Sequence, residues 1–428
     1  MPLGIAKTIS WGGGGGGTAP TPLYSKFETN LFSGYQLSGD HAFEFAGFDV
    51  SNNPVFLIGL DDGSTYDGIS AVKFNINTEA WSTGTVYNLY RQTGRVVLST
   101  KSRGALYKET PQSGATLTNV GVSFGGVIGD DARGKIHKHT LDTSTLALTN
   151  TADLYVQSIQ EYPGAVLVQN KYDIDVCDTD KFIVVADYLN SGTTTYTSTV
   201  LKAMSNVGTG SSTGHSTTTD GSGWTNNDVD YTARAVKKGT ANARVVFSGY
   251  DNLTTKQRDT AWRTGYAGST GNSGPDGKHA IVRLNETDTL LHMAQDVSQN
   301  DLVANATTVA WSASGNGIGP NGTKYTFPTT YDGYNAVEGW SDNTFFVAGY
   351  NGTALKLHEC STVTNNVSID ATRNFTLDQT PNSPLYQNSI TAVNAPGSDQ
   401  AGQWIFGAYS STVSATNYVQ VWGLRYNY

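Results

Sequence analysis

The side chains best suited to chemistry in this sequence are carboxylates that cluster in one turn. Asp61, Asp62 and Asp67 fall within residues 61–67, which read DDGSTYD. Ca²⁺ prefers about six to eight oxygen ligands, and carboxylates can supply them. Asp and Gly are also residues that form solvated β-turns. We therefore expect a structural turn without a metal, and calcium binding is the alternative that the sequence leaves open.

Other acids recur at the ends of apolar segments. Asp130, Asp187 and Asp251 each follow an apolar run that contains a Gly or Ala near its end. Glycoside hydrolysis needs two carboxylates about 5 to 9 Å apart. An acid that recurs at equivalent strand ends is better suited to capping turns through backbone hydrogen bonds. The His-Glu-x-x-His and Walker motifs are absent. We therefore predict that the protein is not an enzyme and binds no cofactor.

Histidine and cysteine residues give no complete metal site. His137 and His139 alternate along one predicted strand and so project to the same face, but no third ligand stands at an informative spacing. We expect both to lie on a polar outer strand face. Cys177 and Cys360 are far apart in the sequence and lie in or beside predicted strands, so we expect buried free thiols.

The recurring acids belong to a repeated unit, and this repeat predicts the fold. An apolar strand that ends at Gly or Ala and then meets Asp, Asn or Ser occurs six times, at 55–61, 127–130, 183–187, 245–251, 345–351 and 404–410. Other short strands precede and follow each copy, and in the fourth unit we take 279–285 as the third strand. Four antiparallel strands per unit around one axis define a β-propeller.

We therefore predict an all-β fold consisting of a single six-bladed β-propeller. The residues that mark the second strand of each blade are Gly59, Gly129, Ala186, Gly249, Gly349 and Gly407. Seven blades are the alternative, because residues 95–108 could belong to a blade that the pattern does not resolve. The last unit lacks a fourth strand, and residues 31–37 can supply it by pairing the two ends of the chain, which removes a free sheet edge.

The N-terminal residues differ from the rest of the chain. Residues 12–17 are six consecutive glycines, which make a flexible tether. We expect residues 1–30 to form an attachment arm and residues 31–428 to form the propeller. The residues of the arm that could dock on a partner or neighbouring subunit are Ile5, Ile9 and Trp11.

Two further patterns are candidates for binding. The strand after each repeat holds a mid-strand basic residue, or Gln420 in the sixth unit. Its stem either packs along the sheet with its head in water or at an acid of a neighbouring blade, or the six residues form a ring that holds an anion. Long Gly- and Ser-rich insertions at 205–227 and 298–335 are expected to be binding loops. Their candidate contact residues are Trp224 and Trp311, and the strand residues are Lys73, Lys138, Lys202, Arg283, Lys356 and Gln420.

Composition and charge exclude several functions. Charged residues make up 15% of the 428 residues, and the formal net charge of -9 disfavours binding to phosphate backbones. Neither a signal-peptide core nor an apolar run long enough to span a membrane occurs. We therefore expect synthesis in a host cytoplasm, with no membrane and no sequence-specific nucleic acid as partners.

Two resemblances suggest what such a protein does. The segment 61–66 resembles the Asp-box turn of sialidase-like propellers, which implies a carbohydrate-binding or sialidase-like protein that recognises host surface glycans. The propeller body, low charge and Gly-tethered arm look like structural proteins of tailed-bacteriophage virions, of the tail nozzle, fibre or decoration type. That resemblance implies a homo-oligomer in the virion. Its partners would be portal, adaptor, tail or capsid proteins, with a host surface receptor as a further candidate.

Overall fold

The computed structural model describes a set of segments separated by gaps. They are residues 24–38, 42–63, 66–90, 97–99, 112–126, 134–155, 166–178, 181–189, 196–205, 213–220, 231–236, 244–251, 254–261, 267–271, 279–283, 289–296, 301–308, 325–326, 336–341, 344–363, 366–382, 389–395 and 402–426. The described side chains lie in blades 1, 2, 6 and 7, as defined below. No helix among these residues is long and apolar enough to cross a membrane.

The described residues form thirty strands in seven antiparallel sheets. The first strand, β1 (Tyr24–Leu31), belongs to the last blade. Blade 1 holds β2 (Gln36–Leu37), β3 (Phe43–Phe48), β4 (Pro54–Asp61), β5 (Tyr66–Asn75), β6 (Ala80–Thr83) and β7 (Tyr87–Tyr90). Blade 2 holds β8 (Val97–Ser99), β9 (Thr116–Gly126), β10 (Gly134–Asp142) and β11 (Leu148–Tyr155). Blade 3 holds β12 (Val166–Asp178), β13 (Lys181–Leu189), β14 (Tyr196–Ser205) and β15 (Thr213–Asp220).

The other blades follow the same order. Blade 4 holds β16 (Tyr231–Val236), β17 (Arg244–Asp251), β18 (Thr254–Ala261) and β19 (Ala267–Gly271). Blade 5 holds β20 (His279–Arg283), β21 (Thr289–Asp296), β22 (Asp301–Thr308) and β23 (Tyr325–Thr326). Blade 6 holds β24 (Ala336–Ser341), β25 (Thr344–Asn351), β26 (Ala354–Val363) and β27 (Asn366–Thr376). Blade 7 holds β28 (Ser389–Ala395), β29 (Gly402–Val413), β30 (Thr416–Tyr426) and, as its fourth strand, β1.

The first strands of consecutive blades lie against one another around a closed ring. The contacts run from β3 through β8, β12, β16, β20 and β24 to β28, and β28 returns to β3. This arrangement confirms the prediction of a single all-β propeller. A strand in such a ring is buried on both faces, which explains its near-continuous apolar sequence: in β4, Phe56 faces blade 7 while Leu57 faces blade 2.

The structure corrects the predicted blade number from six to seven. The strand at 279–285, which we took as the third strand of the fourth unit, begins a blade of its own as β20, and the true third strand of blade 4 is β18. The second strand of blade 5, β21, ends in Ala294-Gln295-Asp296 and so has the ending of the repeat. Residues 95–108 do not add a blade, because Val97–Ser99 is the first strand of blade 2.

Two other expectations about strands also change. The second strand of blade 2 is β9, so the predicted marker Gly129 lies beyond that strand and outside the described residues. The insertions expected to be loops contain strands: Thr213–Asp220 completes blade 3, and β22 and β23 complete blade 5. Short polar strands of this kind lack the apolar run on which the sequence prediction depended.

The ring is closed by pairing of the chain ends, as predicted, but by an earlier segment. β1 runs antiparallel to β30 from Tyr24 opposite Tyr426 to Leu31 opposite Val419. Residues 31–37, expected to be the closing strand, instead contain the turn that leads to β2, which pairs with β4 of blade 1. The propeller therefore begins at Tyr24, inside the segment 1–30 that we expected to be the arm. Ile5, Ile9 and Trp11 lie outside the described residues.

Glycines in blade 7 make room for aromatic rings on the neighbouring strand. A Cβ added to Gly407 would lie 2.2 Å from Cζ2 of Trp422, its partner on β30. On the opposite face, a Cβ on Gly423 would lie 2.8 Å from Cε1 of Phe406. The Trp422 indole therefore packs directly on the backbone of Gly407, the repeated glycine of this blade. This contact explains why the position requires a residue without a side chain.

Candidate functional site

The carboxylate of Asp61 stabilises the turn that follows β4 by accepting hydrogen bonds. Asp61 ends β4 and is buried, and its Oδ1 accepts a hydrogen bond of 2.7 Å from the backbone N–H of Gly63, which has a φ of +76°. Gln36 Nε2 lies 3.4 Å from the other carboxylate oxygen. Among the described residues, no three His, Cys, Asp or Glu side chains come together as a metal site. The carboxylate thus ties β2 to the turn after β4, which is the work of a turn-capping acid.

A second buried carboxylate, Asp49, lies in the turn between β3 and β4. Its Oδ1 accepts from the backbone N–H groups of Ser51 at 2.8 Å and Asn53 at 2.9 Å. Its Oδ2 lies 3.0 Å from Asn53 Nδ2 and 3.3 Å from Lys73 Nζ. Burial raises the pKa of Asp49, but hydrogen bonds from Asn53, Ser51 and Lys73 outweigh it and leave the pKa below its usual 3.8. Asp49 is therefore a charged structural anchor.

Lys73 links blade 1 to blade 2. Its Nζ donates a hydrogen bond of 2.9 Å to the backbone carbonyl of Thr143, in the turn after β10. Thr143 is buried, and its hydroxyl donates to the carbonyl of Gly114 at 2.7 Å. Lys73 thus reaches the neighbouring blade, but its partner there is a main-chain carbonyl and not the acid that we expected, since its carboxylate partner Asp49 belongs to its own blade. The six positions do not form one ring, since Arg283 ends the first strand of blade 5 rather than a third strand.

His139 fills the gap between blades 1 and 2. It is fully buried, and its ring centroid lies 5.3 Å from that of Tyr87 in an edge-on arrangement. The expectation of a polar outer strand face is therefore wrong for His139. A bulge in β10 between Lys138 and His139 accompanies this placement. No pattern in the sequence predicted this bulge.

Blade 6 buries a histidine and a thiol on one strand. His358 Nδ1 lies 2.9 Å from the hydroxyl of Thr372, and burial, followed by the nearby charge of Lys356, lowers the pKa of His358 to about 4. Cys360 is buried and free, and burial, followed by Asp370 and Glu359, raises the pKa of its thiol. Cys360 is thus the buried free thiol that we predicted, and a raised pKa leaves little reactive thiolate. Cys177 lies in β12, and its side chain is not among those described.

Side-chain contacts of Glu28 and Tyr409 join β1 to blade 7 and to the connection that precedes it. Tyr409 on β29 donates a hydrogen bond from its hydroxyl to Glu28 Oε1 on β1. The other oxygen of Glu28 accepts from the backbone N–H of Asp378 at 3.0 Å, and Gln379 O lies 3.3 Å from the Tyr409 hydroxyl. Asp378 and Gln379 belong to the connection from blade 6 to blade 7. One carboxylate therefore holds three segments together.

The opposite face of β1 packs into an aromatic cluster between blades 7 and 1. The ring of Phe27 lies 5.9 Å from Phe74 of blade 1 and 6.0 Å from Trp404 of blade 7, measured between centroids. Trp404 also stacks on Phe406 at 5.7 Å. Because Phe27 and Glu28 project to opposite faces, β1 contacts blade 1 on one side and the connection from blade 6 on the other. We call Phe27, Glu28 and their contacts the closure clamp.

The closure clamp is the feature that the sequence analysis missed. It holds β1, whose first residue, Tyr24, lies opposite Tyr426 near the end of β30. The predicted loop contacts Trp224 and Trp311 lie outside the described residues, as do Ile5, Ile9 and Trp11.

No protein-family model matches the chain, and no curated protein does. Solved structures similar to it include the Dos1 propeller, at a TM-score of 0.43 and 10% identity over 90% of this chain and 94% of that one. The GH93 α-L-arabinofuranosidase of Fusarium graminearum gives 0.40 and 9%, covering 92% and 98%. The NanB sialidase of Streptococcus pneumoniae gives 0.41 and 10%, covering 91% and 70%. Similarities of this size assign no substrate, partner or site to this chain.

Proposed function

We propose that this protein is a structural, non-enzymatic component of a tailed-bacteriophage virion, a tail protein that assembles through its N-terminal arm and its propeller loops. The observation that carries this proposal is the closure clamp. The segment that follows the Gly-rich arm is β1 itself, which is held by β30, by Glu28 and by Phe27. A load on the arm is therefore transmitted to the ring rather than to a loose terminus.

The chemistry of the described acids supports a scaffold over a hydrolase. Asp61, Asp49 and Glu28 are each engaged by backbone N–H groups, and each joins separate segments of the fold. A general acid or a nucleophile must instead direct its oxygens toward a substrate. These carboxylates stabilise the ring. The net charge of -9 further suits a protein that does not retain nucleic acid at its surface.

In this role the arm docks on portal, adaptor, tail or capsid proteins, and the ring repeats as a homo-oligomer in the virion. Ile5, Ile9 and Trp11 are the anchors, and the six glycines at 12–17 give them reach. Trp224 and Trp311 are the candidate contacts for a host receptor.

Removal of the arm tests this function. A chain lacking residues 1–22 keeps all of β1, so we expect an unchanged thermal unfolding curve and loss of the protein from purified particles, measured by mass spectrometry. The matched control keeps the arm and replaces Ile5, Ile9 and Trp11 with Asp, which should also prevent incorporation. Absence of the full-length chain from particles would overturn the proposal. Glycan binding that survives loss of the arm would favour the carbohydrate-binding alternative.

A further inference from the structure

We propose that β1 is an exchangeable closing strand, and that the edge of β30 in one copy of the chain accepts β1 of a second copy. Copies would thereby be linked through the element that closes each ring. This inference goes beyond the virion role, and it can be tested on the isolated chain alone. It rests on the seat of β1 and on the turn that follows it.

The seat of β1 is specific for the sequence of β1. Eight residue pairs set its register on β30. On one face Phe27 packs near Phe74 and Trp404, and on the other Glu28 accepts from Tyr409 and Asp378. A slip of one residue would reverse these faces and place a carboxylate among aromatic rings. The occupant that satisfies the seat is therefore this same strand, from its own chain or from another copy.

The turn after β1 is short and strained. Phe32 has a φ of +50°, in the left-handed region that a bulky side chain rarely adopts, and Gly34 has a φ of +89°. The turn is closed by a hydrogen bond of 3.1 Å from Tyr35 N to Phe32 O and one of 2.8 Å from Gly34 N to Asn417 O. These contacts hold residues 32–35 in the bend that returns β1 to its own blade.

Beyond this turn the chain is fixed to the body of the propeller. Gln36 and Leu37 pair with β4, and Leu37 N donates to Ser410 Oγ at 2.8 Å. Residues 32–35 are therefore a hinge between two anchored strands. Opening the hinge moves β1 as a unit and leaves β2 in place.

Exchange preserves the contacts of β1 and changes only the hinge. The eight pairs, the Phe27 packing and the Glu28 hydrogen bonds form identically in a neighbouring ring, while an opened hinge relieves the strained backbone of Phe32. Such a strained short hinge is the condition under which strand exchange between identical chains becomes favourable. Within one chain, β1 is at a high effective concentration relative to its own β30, which favours the closed monomer. Exchange between chains therefore increases with protein concentration.

Mixing of two chains that each carry one introduced cysteine, with the buried Cys360 retained in both, tests the exchange directly. Ser25 and Arg425 are partners across β1 and β30, so Ser25→Cys in one chain and Arg425→Cys in another can form a disulfide only when β1 of the first lies on β30 of the second. Both chains carry Cys177→Ser to remove a background thiol. They are unfolded, mixed equally, refolded together and oxidised.

We expect a covalent dimer that reductant splits, whose cross-linked peptides contain positions 25 and 425, and whose yield rises with concentration. Each single variant alone should give no such dimer. The double variant Ser25→Cys/Arg425→Cys is the positive control, because it can link within one chain. If the double variant links within the chain but the mixture gives no cross-chain link at any concentration, the proposal is wrong.

A shortened hinge gives a second test. Deletion of Ser33 and Gly34 leaves too little chain for β1 to fold back, so we expect the monomer to be replaced by dimers or larger species in light scattering. Ser33→Gly keeps the length of the hinge and should leave the monomer fraction unchanged. A folded, monomeric deletion variant would contradict the exchange.

Discussion

Two junctions between neighbouring blades are held together by different means. Between blades 7 and 1, where the chain ends meet, the core is a cluster of rings that includes Phe27, Phe74 and Trp404. Between blades 1 and 2 the core is aliphatic, and the backbones meet directly: Phe48 N donates to Gln112 O at 2.8 Å, and Gly114 N to Phe48 O at 3.1 Å. The junction of blades 7 and 1 therefore relies mainly on packed aromatic rings, whereas main-chain hydrogen bonds add to the aliphatic core and the Lys73 contact between blades 1 and 2.

Glycines at the two junctions show the same contrast. A Cβ on Gly84, at the junction of blades 1 and 2, would lie 2.1 Å from the backbone carbonyl oxygen of Leu146. A Cβ on Gly423, on the face of blade 7 that packs against blade 1, would instead lie 2.8 Å from Cε1 of the Phe406 ring. A mutation can replace an aromatic ring by a smaller side chain, but it cannot remove a main-chain carbonyl oxygen. The difference can therefore be tested by substitution.

The largest effect is expected at the aromatic junction. Trp404→Ala removes a fully buried indole that contacts Phe27, Phe74 and Phe406, and should lower the free energy of unfolding by about 3–5 kcal/mol. Chemical denaturation measures this loss. Trp81→Ala, at the partly exposed edge of the same cluster, is the control and should cost less. Equal losses would mean that the cluster does not depend on its buried centre.

Rescue experiments should separate the two kinds of glycine. Gly423→Ala should cost about 1–3 kcal/mol through overpacking against Phe406, and the same change should cost less in a chain that already carries Phe406→Leu. Gly84→Ala should resist rescue by Leu146→Ala, because the clash is with a main-chain oxygen. Double-mutant cycles in denaturant measure both couplings. Rescue at Gly84 would remove the distinction between the junctions.

A smaller effect is expected at the hydrogen-bonding side of the closure clamp. Tyr409→Phe removes the hydroxyl that donates to Glu28 and should cost about 0.5–1.5 kcal/mol. In a chain that already carries Glu28→Gln the same change should cost less, because part of the interaction has been lost. Additive losses from the two changes would show that Tyr409 and Glu28 act independently.

The smallest effect concerns pH at the junction of blades 1 and 2. Because the pKa of Asp49 lies below 3.8, its stabilising contribution is complete above pH 3.8 and is lost as pH falls through the lowered value. Asp49→Asn should therefore be less stable than the parent at neutral pH, and the gap should narrow in acid. The control is Glu79→Gln, at an exposed turn. A gap that stays constant down to the acid transition would contradict this assignment.

The fold class was predictable from the sequence because strands buried on both faces leave long apolar runs that end at a glycine and a polar turn. The blade number could not be predicted in the same way. In β21 the residues before the Ala294-Gln295-Asp296 ending are Leu-Leu-His-Met, which is a less regular apolar run than in the other copies of the repeat. We predicted the closing strand at residues 31–37 and not at Tyr24–Leu31. The actual strand contains Ser25, Lys26 and Glu28, polar residues that suit an outer edge and interrupt the apolar pattern.

The closure clamp could not be predicted from the sequence, because its partners are remote from one another in the chain. Glu28 and Tyr409 are 381 positions apart, and neither belongs to a motif. The capping role of Asp61 was predictable, since its partner Gly63 is two residues away. Local turn chemistry can thus be inferred from neighbouring residues, whereas a contact between chain ends depends on the completed ring.

The most direct test of ring closure by β1 compares the thermal unfolding of two truncated chains. A chain that begins at residue 23 keeps Tyr24–Leu31 and should unfold at the temperature of the full chain. A chain that begins at residue 32 lacks β1 and the whole closure clamp, and its midpoint should fall by more than about 10 °C. Equal midpoints for the two chains would contradict the claim that β1 closes the propeller.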